Sequence, residues 1–77
     1  MTPPMRLARP PLVQFGQRLH SMRVQAGMSQ AELAKRSRVG ERYVRTVEHG
    51  TSNPSLATII LLADALGCEL SDFFPRR

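Results

Sequence analysis

Cysteine occurs once in these 77 residues, at Cys68. No disulfide can therefore form within the chain, and a reducing, thiol-tolerant compartment is expected. Following Gly67 at a helix end, Cys68 reads as a small half-buried hydrophobe, not as a nucleophile or redox sensor. No apolar run is long enough to span a bilayer. Met1–Pro11 does not read as a secretory leader, because four prolines break it and Arg6 and Arg9 charge it, so a cytoplasmic protein without membrane contact is expected. No alternating β-branched stretch suggests a strand, and no period suggests a repeat. His20 and His49 lack metal-ligand spacing, and no second acid, histidine or cysteine is spaced to work with Glu48 as a catalytic pair. Neither a cofactor nor an enzyme is expected.

Basic residues are missing from one stretch only. Thr51–Pro75 holds three acids and no Lys or Arg, whereas the residues through Gly50 hold nine Lys/Arg against three acids; Arg76 and Arg77 bring the net charge to +5. A basic half attracts a phosphate backbone and releases its counterions, while an acidic, apolar half is a poor partner for DNA. On charge alone a basic run is more often plain solvated surface.

Helical punctuation is plentiful. The six prolines lie at positions 3, 4, 10, 11, 54 and 75, outside runs that read as helices over Leu12–Ala26, Gln30–Ser37, Glu41–His49 and Leu56–Leu66, with a last short turn near Ser71–Phe74. A chain of this length holds one small core, which oligomerisation would help to stabilise. The expected organisation is a flexible proline-rich arm over 1–11, one domain over 12–75 and a basic tail at 76–77. Within the domain, Ser29 and Glu32 have the spacing of a capping box. Leu33 faces inward, Ala34 lets a second helix cross close by, and Val39, Val44 and Val47 supply apolar contacts after a turn marked by Gly40. This is a helix-turn-helix, and five of the twenty residues from Ser29 to Glu48 are Lys or Arg. Its context turns the basic half from plain surface into a DNA-facing one.

The ordered series Phe15-Gly-Gln-Arg-Leu19, Met22-Arg23, Gly27-Met-Ser-Gln-Ala-Glu-Leu-Ala34, Val44 with Val47-Glu48-His-Gly50, Asn53-Pro-Ser-Leu56 and Leu62-Ala-Asp-Ala-Leu-Gly67 resembles the phage Cro and repressor type of helix-turn-helix protein, the Xre family. The resemblance runs from about Phe15 to Phe74. It implies an all-α, compact five-helix repressor-like domain with the helix-turn-helix at helices 2 and 3. It also implies that Gln30 contacts phosphate beside the helix amino terminus, and that Arg23 and Glu48 form an internal salt bridge. One departure is Arg38, at a turn position that is often glycine in this family; a left-handed backbone there would cost on the order of 1 kcal/mol, with Gly40 expected to take up part of the strain.

At about 100° per residue, turning Val44, Val47 and Glu48 to the core leaves Arg42, Thr46 and His49 outward, with Arg45 and Tyr43 on the flanks. The amino-terminal part of such a helix enters the major groove deepest, so Arg42 and Thr46 are the first candidates for base edges and Glu41 and Arg45 the next; His49 lies too far out. Arg42 suits guanine O6 and N7, Thr46 can offer a methyl to thymine or a hydroxyl to either edge, and Glu41 can accept from cytosine N4. Arg45 suits a phosphate clamp as well as it suits a base and Arg42 suits one less well, and Tyr43 could hydrogen-bond a phosphate or merely cover the turn. Gln30, Ala31 and the loop Thr51-Ser52-Asn53 offer neutral donors to phosphate, with Gln30, Tyr43, Ser52 and Asn53 the named candidates.

Leu56–Leu66 carries only Thr58 and Asp64 as polar residues, so one small core cannot satisfy all of its faces. Ile60, Leu61, Leu70, Phe73 and Phe74 make a candidate two-fold dimer patch. The expected function is a sequence-specific transcriptional regulator that binds duplex DNA as a homodimer on a palindromic operator. With the chain ending at Arg77, no ligand-sensing domain is expected and control would come from concentration, cooperativity or a partner, as in the controller proteins of restriction-modification systems or Cro-like phage regulators, which this chain resembles in size. The alternative is an antitoxin that neutralises a toxin through the acidic apolar half, a protein partner that would make DNA binding secondary.

Overall fold

The computed structural model describes residues 11–74. Four α-helices follow one another, α1 (Pro11–Gln25), α2 (Gln30–Ser37), α3 (Glu41–Glu48) and α4 (Leu56–Leu66), and a 3-10 turn over Leu70–Phe73 closes the domain. The architecture is all-α among the described residues. The fifth helix expected from the sequence is only that one turn, too short to build an α-helical hydrogen-bond ladder. The arm and the basic tail lie outside the described residues except for Pro11, which opens α1 instead of preceding it. Proline suits a first helical position, since its fixed φ is preorganised and its missing N–H would have no helical partner.

Local chemistry sets the ends of the two central helices. Ser29 Oγ accepts from the Glu32 N–H at 3.0 Å and Glu32 Oε1 accepts from the Ser29 N–H at 3.0 Å, a complete capping box for α2. Arg38 ends α2 in the left-handed region, at φ 63° and ψ 28°, with its N–H on the Ala34 carbonyl. That reverses the chain before Gly40 is reached. Gly40 accordingly takes an ordinary extended conformation, φ −62° and ψ 146°, as the cap residue of α3; it shares none of the strain, which rests on Arg38. Ser55 starts α4, its Oγ accepting from the Thr58 N–H at 3.1 Å.

Leu19 of α1, Leu33 of α2, Val44 and Val47 of α3, Leu62 of α4 and Phe73 of the closing turn meet in one core. α3 packs between α1 and α2, α2 also packs on α4, and the closing turn bridges α1 and α4. Phe15 stacks obliquely on Phe73 with ring centroids 5.1 Å apart. Two glycines permit the approach of α1 to the end of α3. A Cβ at Gly16 would run into the carbonyl oxygens of Val47 and Glu48, and one at Gly50, whose φ is +80°, would press on Val13. The carboxyl end of α3 is thereby held close against α1, while Glu41, Arg42 and Arg45 stay exposed.

Candidate nucleic-acid interface

α3 divides its residues sharply. Val44, Val47 and Glu48 are buried, Glu41, Arg42 and Arg45 are exposed, and Tyr43 and Thr46 are half-buried at the border. Arg42 makes no ion pair or side-chain hydrogen bond among the described residues, so its guanidinium is available to a base or a phosphate. Arg45 Nη2 and Glu41 Oε2 are 3.4 Å apart, one turn apart on the helix, with both side chains about half exposed. A surface pair of this kind contributes little, so it does not lock either residue away from a ligand. Lys35, Arg36 and Arg38 are exposed at the end of α2 and in the turn, adding positive charge beside α3.

Behind that face Arg23 of α1 grips Glu48 of α3 with two hydrogen bonds, Nε to Oε2 at 2.6 Å and Nη2 to Oε1 at 3.0 Å. Arg23 Nη1 donates to the Met28 carbonyl at 2.8 Å, tying in the segment that leads to α2. Glu48 Oε1 also lies 3.1 Å from Gln30 Nε2 and 3.1 Å from His20 Nδ1. The fork-on-carboxylate geometry is the strongest arrangement these two groups can make. Burial pushes the Glu48 carboxyl up, but hydrogen bonds from Arg23, Gln30 and His20 together with the Arg23 charge outweigh it and hold the group below its ordinary value. The same hydrogen bond raises Arg23, against the opposing effect of its burial. His20 Nδ1 also faces Arg23 Nη2 at 3.1 Å; one ring nitrogen cannot donate to Glu48 and accept from Arg23 at once.

Three phosphate candidates are placed unequally. The side-chain amide of Gln30 points inward and donates to Glu48, which leaves the backbone amides of half-buried Gln30 and exposed Ala31, unpaired within the described residues, as the donors at the start of α2. Ser52 donates its hydroxyl to Thr46 Oγ1 at 2.6 Å. Its proton is therefore committed inside the protein, and phosphate, which only accepts, cannot take it. Asn53 is exposed and its side chain makes no hydrogen bond among the described residues. Neither His20, largely exposed, as a fourth member of the network around Glu48 nor Ser52 as a partner of α3 follows from the sequence reading. A signal existed for His20 alone, which lies three residues before Arg23 and so shares its helix face.

The apolar patch differs from the expected one at a central residue. Phe73 is 1% exposed and belongs to the core, whereas its neighbour Phe74 is 47% exposed. Adjacent residues in a 3-10 turn point about a third of a turn apart, so only one of the two can enter the core. Ile60 and Leu61 are exposed, Leu70 is half-buried, and Leu56, absent from the expected set, is the most exposed large hydrophobic residue among the described ones. Cys68 is half-buried, and burial pushes its thiol up, away from reactivity. No group of three potential metal ligands occurs among the described residues, and none of their helices is long and apolar enough to cross a membrane.

A helix-turn-helix family model matches residues 19–73. The chain is 34% identical over 56 residues to the immunity repressor protein of Bacillus phage phi105, a match covering 73% of this chain and 39% of that longer protein. It is 32% identical over 56 residues to the uncharacterized HTH-type transcriptional regulator YqaF of Bacillus subtilis, covering 73% of this chain and 74% of that protein. Among solved structures, the restriction-modification controller protein C.AhdI from Aeromonas hydrophila superposes with a TM-score of 0.81 at 46% sequence identity, over 82% of this chain and 96% of the controller.

Proposed function

Because the chain belongs to the helix-turn-helix family of Cro- and repressor-type transcriptional regulators, we propose that it binds a palindromic operator as a homodimer and regulates transcription, its own included, in the manner of a small controller. The observation that carries this reading is the split of α3. Its buried side is fixed by Val44, Val47 and the Arg23–Glu48 fork, while Arg42, Arg45 and Thr46 occupy the other side. A rigid helix with basic and small polar groups on its free face is what major-groove reading requires.

One such helix covers only a half-site. Pairing two of them about 34–36 Å apart gives the affinity and specificity that a single copy lacks. Leu56, Ile60, Leu61 and Phe74 supply the exposed apolar surface for that pairing, in a stretch without Lys or Arg and so unsuited to DNA. A two-fold contact built on it would be self-complementary. The lone Cys68 suits work in the cytoplasm. The competing reading, neutralisation of a toxin, gains no support from the relatives named above, which are a repressor, a transcriptional regulator and a controller by name. Selection of binding sites from random duplex DNA, with the mass of the complex measured by light scattering, tests the proposal. A two-fold symmetric consensus bound by two chains supports it; no consensus, or one chain per site, refutes it.

A further inference from the structure

The loop after α3 is tied back onto the reading helix through hydroxyl groups. Thr46 Oγ1 lies 2.9 Å from the Tyr43 carbonyl oxygen. A carbonyl can only accept, so the one hydroxyl proton of Thr46 is spent on it. Ser52 Oγ lies 2.6 Å from Thr46 Oγ1, and with that proton already committed Ser52 is the donor. Thr51 reinforces the joint, its N–H at 3.0 Å and its Oγ1 at 3.1 Å both donating to the Thr46 carbonyl. Thr46 is thus gripped on two sides by groups of its own protein.

This arrangement removes the donor role by which a threonine hydroxyl could read a base, and Ser52 takes one of the two lone pairs with which it could accept. A hydroxyl with no proton to give cannot donate to guanine O6 or N7, adenine N7 or thymine O4, which are the acceptors of the major groove. Tetrahedral geometry at Cβ sends the γ-methyl away from a hydroxyl that is held against the helix backbone and the loop. Taking α3 as the reading helix, as proposed above, we infer that Thr46 reads thymine through its 5-methyl group. Ser52 acts from outside the helix as the positioning residue that fixes this mode. A loop residue thereby sets base preference without touching a base.

The test uses the selected duplex and its single-position variants in which each thymine in turn is replaced by deoxyuridine, which lacks only the methyl. One thymine in each half-site should show about three- to fivefold weaker binding on that change, the effect of removing one buried methyl. Thr46→Val loses the bond from Ser52 but carries a methyl at both γ positions, so it should retain the thymine-to-deoxyuridine ratio at that position whichever rotamer it takes. Thr46→Ser, which keeps the hydroxyl and loses the methyl, should bring the ratio to one. Ser52→Ala should lower the ratio at that position alone, and Ser52→Thr should restore it; a purely structural role for Ser52 would move overall affinity and leave the ratio in place. The inference is overturned if no thymine is sensitive to its methyl, or if Thr46→Ser keeps the preference that Thr46→Val loses. If selection returns no consensus at all, the DNA-reading proposal itself has failed and this inference with it.

Discussion

Removing Arg23 should cost this domain a large share of its stability. The Glu48 side chain is only 3% exposed and receives two of its four hydrogen bonds from Arg23. Arg23→Met would leave a buried carboxylate with only Gln30 and His20, at a cost of about 3–5 kcal/mol. A domain of this size has about 4–12 kcal/mol in total, so Tm should fall by about 12–40 °C. The double change Arg23→Met with Glu48→Leu should be markedly milder, since no buried charge is then orphaned. The pH dependence follows in sign. Glu48 is depressed from an ordinary 4.5, so its contribution is complete above that value and is lost as pH falls through the lower folded value. Melting followed by circular dichroism between pH 7 and pH 3 should show an acid-side loss in the wild type that is smaller in Glu48→Gln. Wild-type melting in Glu48→Gln, with DNA binding selectively lost, would refute the reasoning and place Glu48 against the operator.

Arg42→Ala should lose about 1–3 kcal/mol on the selected site and relax preference at one base pair, read by binding to single-base variants; unchanged affinity and preference would misplace the reading face. Leu61→Glu and Phe74→Glu should give folded monomers that keep weak, salt-sensitive DNA binding and lose tight palindrome binding. Persistence of the dimer by light scattering in both would put the interface elsewhere. Phe73→Glu should instead unfold the domain, because that side chain lies in the core. Arg38→Gly should relieve a left-handed residue and raise stability by up to about 1 kcal/mol in thermal melts, while removing a charge from the basic face; a lower Tm would show that Arg38 makes a contact worth more than its strain.

Helix boundaries were legible because the chain marks them chemically: Ser29 with Glu32, Pro54 with Ser55, and Gly67 each end or begin a periodic run. The inward side of α3 was equally legible, since Val44 and Val47 are its only aliphatic residues. α4 gave no such direction, being apolar nearly all round, so Leu56 was missed and Phe73 was placed on the surface. Choosing between Phe73 and Phe74 depends on how α1 and α4 close over Phe15, a tertiary fact with no sequence period. The hydroxyl joint between Thr46 and Ser52 was invisible for a similar reason: six residues and a loop separate them, and no helical spacing links the two. Resemblance pointed Gln30 at phosphate, but its amide is drawn inward by the buried carboxylate of Glu48.

Equilibrium binding of the wild-type chain to its selected whole operator and to the isolated half-site, across a range of salt concentrations, tests the central claim most directly. Two chains should bind the whole site far more tightly than one binds the half. Each phosphate contact should add about 0.9 to the steepness with which log affinity falls against log salt. A flat salt response, or equal affinity for whole and half sites with one chain on each, would contradict the account.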